Sequence, residues 1–163
     1  MSESPLKGKT VLVVDDEPDV LETVAEQLDM CIVDRAQDYN TALQYLASYT
    51  YDIVILDIMG VNGFELLQNS VDRGFPTVML TAHALTPDAL KKSIKLGAVS
   101  FLPKDKMSEL VSFLEDVVLG KGKPIWQKFF ERLGSYFNKR FGPDWVEKDK
   151  FFSEFKQEVL KQK

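Results

Sequence analysis

Apolar and polar positions over the first 120 residues alternate in two rhythms. Four short, nearly continuous apolar runs stand out: Val11-Leu12-Val13-Val14, Ile53-Val54-Ile55-Leu56, Thr77-Val78-Met79-Leu80 and Phe101-Leu102-Pro103. Runs of this length, bounded by turn residues, suit strands buried on both faces of a parallel sheet. With a further run after Met30, they predict strands at about 10–14, 31–35, 53–57, 77–81 and 99–103. The segments between them carry apolar residues at helical spacing. Val20, Leu21, Val24 and Leu28 share one face after Pro18, a favoured first-turn residue. Ala42, Leu43, Leu46 and Ala47 point inward in a helix from about Asp38, as do Leu66 and Leu67 in one from about Phe64. Thr86-Pro87-Asp88 reads as an N-cap, a first-turn proline and a favourable acid, and Gly97 closes that helix. A last helix over about 108–119 stops at Gly120. Five strands and five helices in strict alternation predict an α/β, doubly wound sheet.

Beyond Gly120 the rhythm changes. Gly120-Lys-Gly-Lys-Pro124 reads as a linker, and Trp126, Phe129, Phe130, Leu133, Tyr136, Phe137 and Phe141 then form one helical stripe. Gly142-Pro143 breaks it, Trp145 lies near the turn, and Phe151, Phe152, Phe155 and Val159 mark a second helix. The division is therefore a first domain over 1–120 and a linker with an aromatic helical extension over 121–163. Two short amphipathic helices cannot bury such rings alone. The extension is expected to pack on the body or to form a homodimer, the alternative being a surface kept for a separate partner.

Charge sharpens that expectation. The net charge of −5 hides 9 Lys/Arg against 19 Asp/Glu in residues 1–120, and 11 against 6 in residues 121–163. Opposite signs favour docking of one segment on the other. The tail has no helix-turn-helix pattern or phosphate-reading loop, which argues against DNA as a partner. No apolar run approaches the ~20 residues of a membrane span, and the N-terminal stretch lacks a secretory signal's apolar core. Cys31, the single cysteine, sits beside Ile32 and Val33 and reads as a buried thiol in a reducing compartment. A cytoplasmic protein is expected.

The four runs end in Asp15-Asp16, Asp57, Thr81 and Lys104. In open parallel sheets, ligands bind outside the carboxyl ends of the strands. Three carboxylates gathered there repel one another and call for a cation. Mg²⁺ suits them, because it takes oxygen ligands and bridges to phosphate oxygens. A carboxylate at a strand end can also act as a nucleophile and form an aspartyl phosphate. Lys104 and Thr81 would hold the transferred oxygens, and the small Ala82 leaves room for them.

These residues, in register with Gly97-Ala98 and Phe101, resemble the CheY-like receiver domain of two-component response regulators over about residues 8–120. The resemblance implies a flavodoxin-like strand order, 2-1-3-4-5. It implies that Asp57 is the phosphoacceptor, served by a histidine kinase or a histidine phosphotransfer protein. It places Mg²⁺ on Asp16, Asp57 and the backbone carbonyl of Met59, with Asp15 acting mainly through water. Lys104 would pair with the phosphoryl group, Thr81 would hydrogen-bond it, and Phe101 would change rotamer with Thr81 as the switch flips. Met59 and His83 fall at positions that tune phosphoryl lifetime. The implied function is a phosphorylation-dependent switch of protein–protein interactions toward an unidentified downstream protein in a phosphorelay. The protein would not be an enzyme beyond promoting its own phosphorylation and hydrolysis.

Two positions depart from the family pattern. Gly60-Val61-Asn62-Gly63 is about two residues shorter than the usual loop and lacks its proline. Asp105 follows Lys104 where the family often has a cis proline; a cis non-proline bond costs about 3–4 kcal/mol, so a trans bond is expected. A phosphatase of the haloacid-dehalogenase type would need a second aspartate where Met59 stands. A phosphorylation-independent binding module is the remaining alternative.

Overall fold

In the computed structural model, which describes residues 3–82 and 86–161, five parallel strands pair through their apolar runs. They are β1 (Thr10–Val14), β2 (Ile32–Ala36), β3 (Ile53–Asp57), β4 (Thr77–Thr81) and β5 (Ser100–Pro103), in the order β2-β1-β3-β4-β5. Every residue of β3 and β4 is buried, which explains why they read as unbroken apolar runs rather than as alternating ones. The helices are α1 (Pro18–Gln27), α2 (Tyr39–Ser48), α3 (Gly63–Asp72), α4 (Pro87–Lys95) and α5 (Leu110–Leu119), followed by α6 (Trp126–Phe141) and α7 (Lys150–Lys161).

Local chemistry sets most of these boundaries. Thr86 caps α4 as its sequence implies: its hydroxyl accepts from the Ala89 N–H at 3.0 Å, and Pro87 follows in the first turn. Asp38 caps α2 through the Thr41 N–H at 2.8 Å. Two details differ from the sequence reading. Residues Lys104–Glu109 form a 3-10 turn, so α5 starts at Leu110 rather than near Ser108. Ala47 is exposed; Ala42 and Leu46 are the buried positions of α2, and Leu43 packs half-buried against the core.

The short loop after β3 closes through two left-handed residues, Gly60 (φ 82°) and Asn62 (φ 57°). It brings Gly63 so close to β3 that a Cβ there would collide with the Asp57 carbonyl oxygen and the Ile58 backbone. Backbone cannot swing aside as a side chain can. Gly63→Ala is therefore expected to cost about 2 kcal/mol through overpacking, read as a lower denaturant midpoint at unchanged slope.

The extension lies along β5, the edge strand. The Ile125 N–H donates to the Val99 carbonyl at 3.0 Å. Phe101, fully buried on β5, meets the rings of Phe129 and Phe137 at 6.5 and 6.4 Å between centroids. A Cβ on Gly120 would stand 3.0 Å from the Ile125 side chain, so a larger residue there would press on Ile125. The edge of the sheet is thereby covered. Charge follows the asymmetry of the sequence. Arg132 reaches Glu109 and Asp116, both at 3.1 Å, and Lys128 reaches Asp116 at 3.3 Å. Asp149 caps α7 through the Phe151 N–H at 2.8 Å and takes Lys91 of α4 at 2.6 Å. Lys91 and the capping N–H groups hold the Asp149 carboxyl below its ordinary range. No helix among the described residues is long and apolar enough to cross a membrane.

Candidate functional site

Strand register builds the site. Val14 pairs with Leu56, Asp57 with Leu80, and Thr81 with Pro103. Asp15, Asp57, Thr81 and Lys104 consequently emerge at one carboxyl edge of the sheet. Asp15 and Thr81 are fully buried and Asp57 is 5% exposed. Asp16 is exposed beside them. Met59 is 55% exposed in the turn after β3. His83 lies outside the described residues. Phe101 sits one layer back, under α6.

Lys104 is the hub. Its Nζ stands 2.9 Å from Asp15 Oδ2, 3.1 Å from Glu17 Oε1 and 3.6 Å from Asp57 Oδ1. Burial works against its charge, yet Asp15, Asp57 and Glu17 outweigh that cost and hold the ammonium above its ordinary pKa. Asp15 Oδ2 is fully buried and has the Lys104 ammonium at 2.9 Å as its partner, which lowers the cost of burying the carboxylate. A carboxylate oxygen with two lone pairs keeps acceptor capacity beyond one such contact. Asp15 Oδ1 accepts from the Glu17 N–H at 2.9 Å.

Burial pushes the Asp57 carboxyl up to about 7, with the negative charge of Asp15 adding to the effect and Lys104 opposing it. Burial also raises Asp15, against the pull of Lys104 and the Glu17 N–H. One ammonium does not compensate these carboxylates. The carboxylate oxygens of Asp15, Asp16 and Glu17 can lie within 4.8 Å of one another, a grouping able to hold a metal ion. An all-oxygen donor set that includes the buried Asp15 carboxylate suits a hard divalent cation. Gly60 crosses directly over this cluster: a Cβ on it would collide with the Asp16 carboxylate.

The structure thus brings Asp15, Asp16, Asp57 and Lys104 together, with Thr81 at the neighbouring strand end. Sequence reasoning missed Glu17, whose signal was present as the third acid of a consecutive Asp15-Asp16-Glu17 run. It also missed Asp105 as a contact for the extension: Tyr136 donates its hydroxyl to Asp105 Oδ2 at 2.9 Å, and Arg140 approaches the same oxygen at 3.8 Å. The chain has no cis peptide bond among the described residues, so the Lys104–Asp105 bond is trans as expected.

Comparison with known proteins gives a consistent result. Residues 11–115 match the response regulator receiver domain family. The two-component response regulator ARR18 of Arabidopsis thaliana is 35% identical over 103 residues, covering 60% of this chain and 16% of that protein. The heme response regulator HssR of Staphylococcus saprophyticus is 36% identical over 86 residues, covering 48% of this chain and 38% of that protein. The chain therefore spans less than half the length of these curated relatives. Among solved structures, the chemotaxis response regulator CheY4 of Vibrio cholerae superposes with a TM-score of 0.60 at 26% identity, covering 68% of this chain and 99% of that one. The aromatic extension lies beyond the matched residues. The chain belongs to the response regulator receiver domain family of two-component systems.

Proposed function

We propose that this protein is a phosphorylation-dependent response regulator in which Asp57 is the phosphoacceptor. The observation that best supports this reading is the Lys104 ammonium held among Asp15, Glu17 and Asp57 at the carboxyl edge of the sheet. The donor would be the phosphohistidine of a histidine kinase or a histidine phosphotransfer protein. An Asp57 carboxylate oxygen attacks phosphorus, the P–N bond breaks, and its electron pair leaves with the imidazole. Mg²⁺, held by Asp15, Asp16, Asp57 and the Met59 carbonyl, would supply positive charge that offsets the carboxylates and the transferring oxygens. Lys104 neutralises a phosphoryl oxygen, and Thr81 offers its hydroxyl to another. Water later hydrolyses the acyl phosphate.

Residues 1–120 form the receiver in this reading and residues 121–163 the extension. Phe101 and Thr81 act as the switch pair, and the phosphorylated state alters contacts with a downstream protein in the cytoplasm. No turnover of a separate substrate is involved. The test is Mg²⁺-dependent labelling by a small phosphodonor such as acetyl phosphate. Wild type is expected to label and Asp57→Asn to lose at least nine-tenths of the signal; equal labelling of the two proteins would refute the assignment.

A further inference from the structure

Parallel pairing carries the strand starts to one edge of the sheet, as it carries the strand ends to the other. At that amino edge, opposite the acidic site, lies an open cavity of about 500 Å³. Lys9 stands just before β1, Tyr51 before β3 and Phe75 before β4, while Lys121 follows α5. The floor is apolar. Tyr51 and Phe75, both buried, meet edge to face at 5.9 Å between ring centres, and Val117 of α5 lines the cavity with them. The charged groups are mostly cationic: Lys9, Arg73 and Lys121 face one carboxylate, Asp52, on a chain whose net charge is −5. That carboxylate is engaged, since Asp52 Oδ2 accepts from the Thr10 N–H at 2.9 Å and from the Thr10 hydroxyl at 3.0 Å. Arg73 is held in place, with one N–H on the Leu46 carbonyl and its guanidinium carbon 5.1 Å from the centre of the Phe75 ring. A guanidinium carries several N–H donors, so most of its capacity remains. Among the described residues, no carboxylate pairs with Lys9, Arg73 or Lys121.

We propose that this cavity binds a phosphate dianion, either inorganic phosphate or the terminal phosphate of a small ester. Three cations from three separate segments line one cavity, and its single carboxylate is already bonded to Thr10. Like charges gathered without a counterion repel one another, and an anion among them relieves that repulsion. The planar guanidinium fork of Arg73 matches phosphate oxygens in pairs, and the two ammoniums add point charges on flexible stems. A lone carboxylate would satisfy the fork and leave the ammonium charge in excess. A phosphate brings nearly twice the charge and more acceptor oxygens. Tyr51, Phe75 and Val117 offer a seat for the organic part of an ester, and a cavity of this size suits a small molecule. The site shares no residue with the Asp57 site, so it stands independently of the phosphoacceptor reading.

The experiment titrates the full chain, nitrogen-15 labelled and kept in chelator at constant ionic strength, with inorganic phosphate and separately with adenosine monophosphate. The amide signals of Gly74, Lys121 and Gly122, which line the cavity, are expected to shift and saturate. Tighter binding of adenosine monophosphate identifies an ester as the ligand; equal or tighter binding of phosphate identifies the free ion. Lys9→Gln combined with Lys121→Gln removes two cations whose ammoniums hold no other group of the chain, so the fold is retained. This variant is expected to bind either anion about 10-fold more weakly or worse. Lys139→Gln combined with Lys148→Gln removes the same two charges from exposed positions of the extension and is expected to leave the affinity unchanged. No saturable shift with either anion up to about 10 mM overturns the proposal. So does equal affinity in Lys9→Gln with Lys121→Gln, or an equal loss in the extension variant, since general charge would then be the cause. Shifts confined to residues around Asp57 and Lys104 also overturn it, by placing the anion at the acidic site, and leave the phosphoacceptor reading intact.

Discussion

Asp57→Asn is expected to make the metal-free protein more stable at neutral pH while removing the proposed phosphoacceptor. The Asp57 carboxyl keeps its proton to about pH 7, against an ordinary 3.8, chiefly because it is buried and secondly because Asp15 is beside it. The native state therefore binds this proton more tightly than the unfolded chain does. The resulting stability is fully present below about pH 4 and is lost as pH rises toward 7. At about 1.4 kcal/mol per unit, the ceiling on that loss is about 4 kcal/mol. Asparagine fills nearly the same space with no charge, and Lys104 retains Asp15 and Glu17. Thermal unfolding in chelator from pH 5 to 8 should show wild type falling and the variant staying flatter and higher at pH 7.5. Added Mg²⁺ should lift wild type more than the variant, because the cation relieves the same repulsion. A variant less stable than wild type at pH 7.5 would show that Lys104 outweighs the cost of the buried charge.

The same residues show how far a sequence exposes a fold of this kind. Strands buried on both faces are legible because each must be apolar throughout, and β3 and β4 are. The Thr86 cap is legible because its chemistry is local. The gathering of Asp15, Asp57, Thr81 and Lys104 follows from parallel topology, which carries every strand end to one edge. What escaped depends on contacts between distant segments. Nothing in the pattern around Asp105 announces Tyr136, 31 residues away. The 3-10 turn at Lys104–Glu109 carries no apolar periodicity that would announce it; in the structure, contacts to Arg132, Tyr136 and Arg140 line its outer side. Glu17 escaped for a different reason. An acid before a helix reads as a favourable terminal charge, and only the position of Lys104 shows that it also faces the site.

Phe137→Ala is expected to lower the stability of the whole chain by about 3–5 kcal/mol, the usual cost of removing a fully buried phenylalanine. Phe137 has no exposed surface, and its ring meets Phe101, Phe129, Phe141 and Trp145 at centroid distances of 5.3 to 6.4 Å. One of those rings, Phe101, belongs to β5. The cavity therefore opens between the sheet and the extension, and neither side can close it without moving the other. Phe130, only half-buried on the same helix, is expected to cost less when replaced by alanine. Unfolding followed by tryptophan fluorescence and by far-ultraviolet circular dichroism distinguishes two ways the loss can appear. Tryptophan reports the extension through Trp126 and Trp145, and dichroism is dominated by the receiver helices. Coincident midpoints, both lowered, mean that the extension and the sheet share one cooperative core. Early loss of the tryptophan signal alone would make the extension a separable layer, and its grip on the Lys104 turn would then be set by Asp105, Glu109 and their partners rather than by packing.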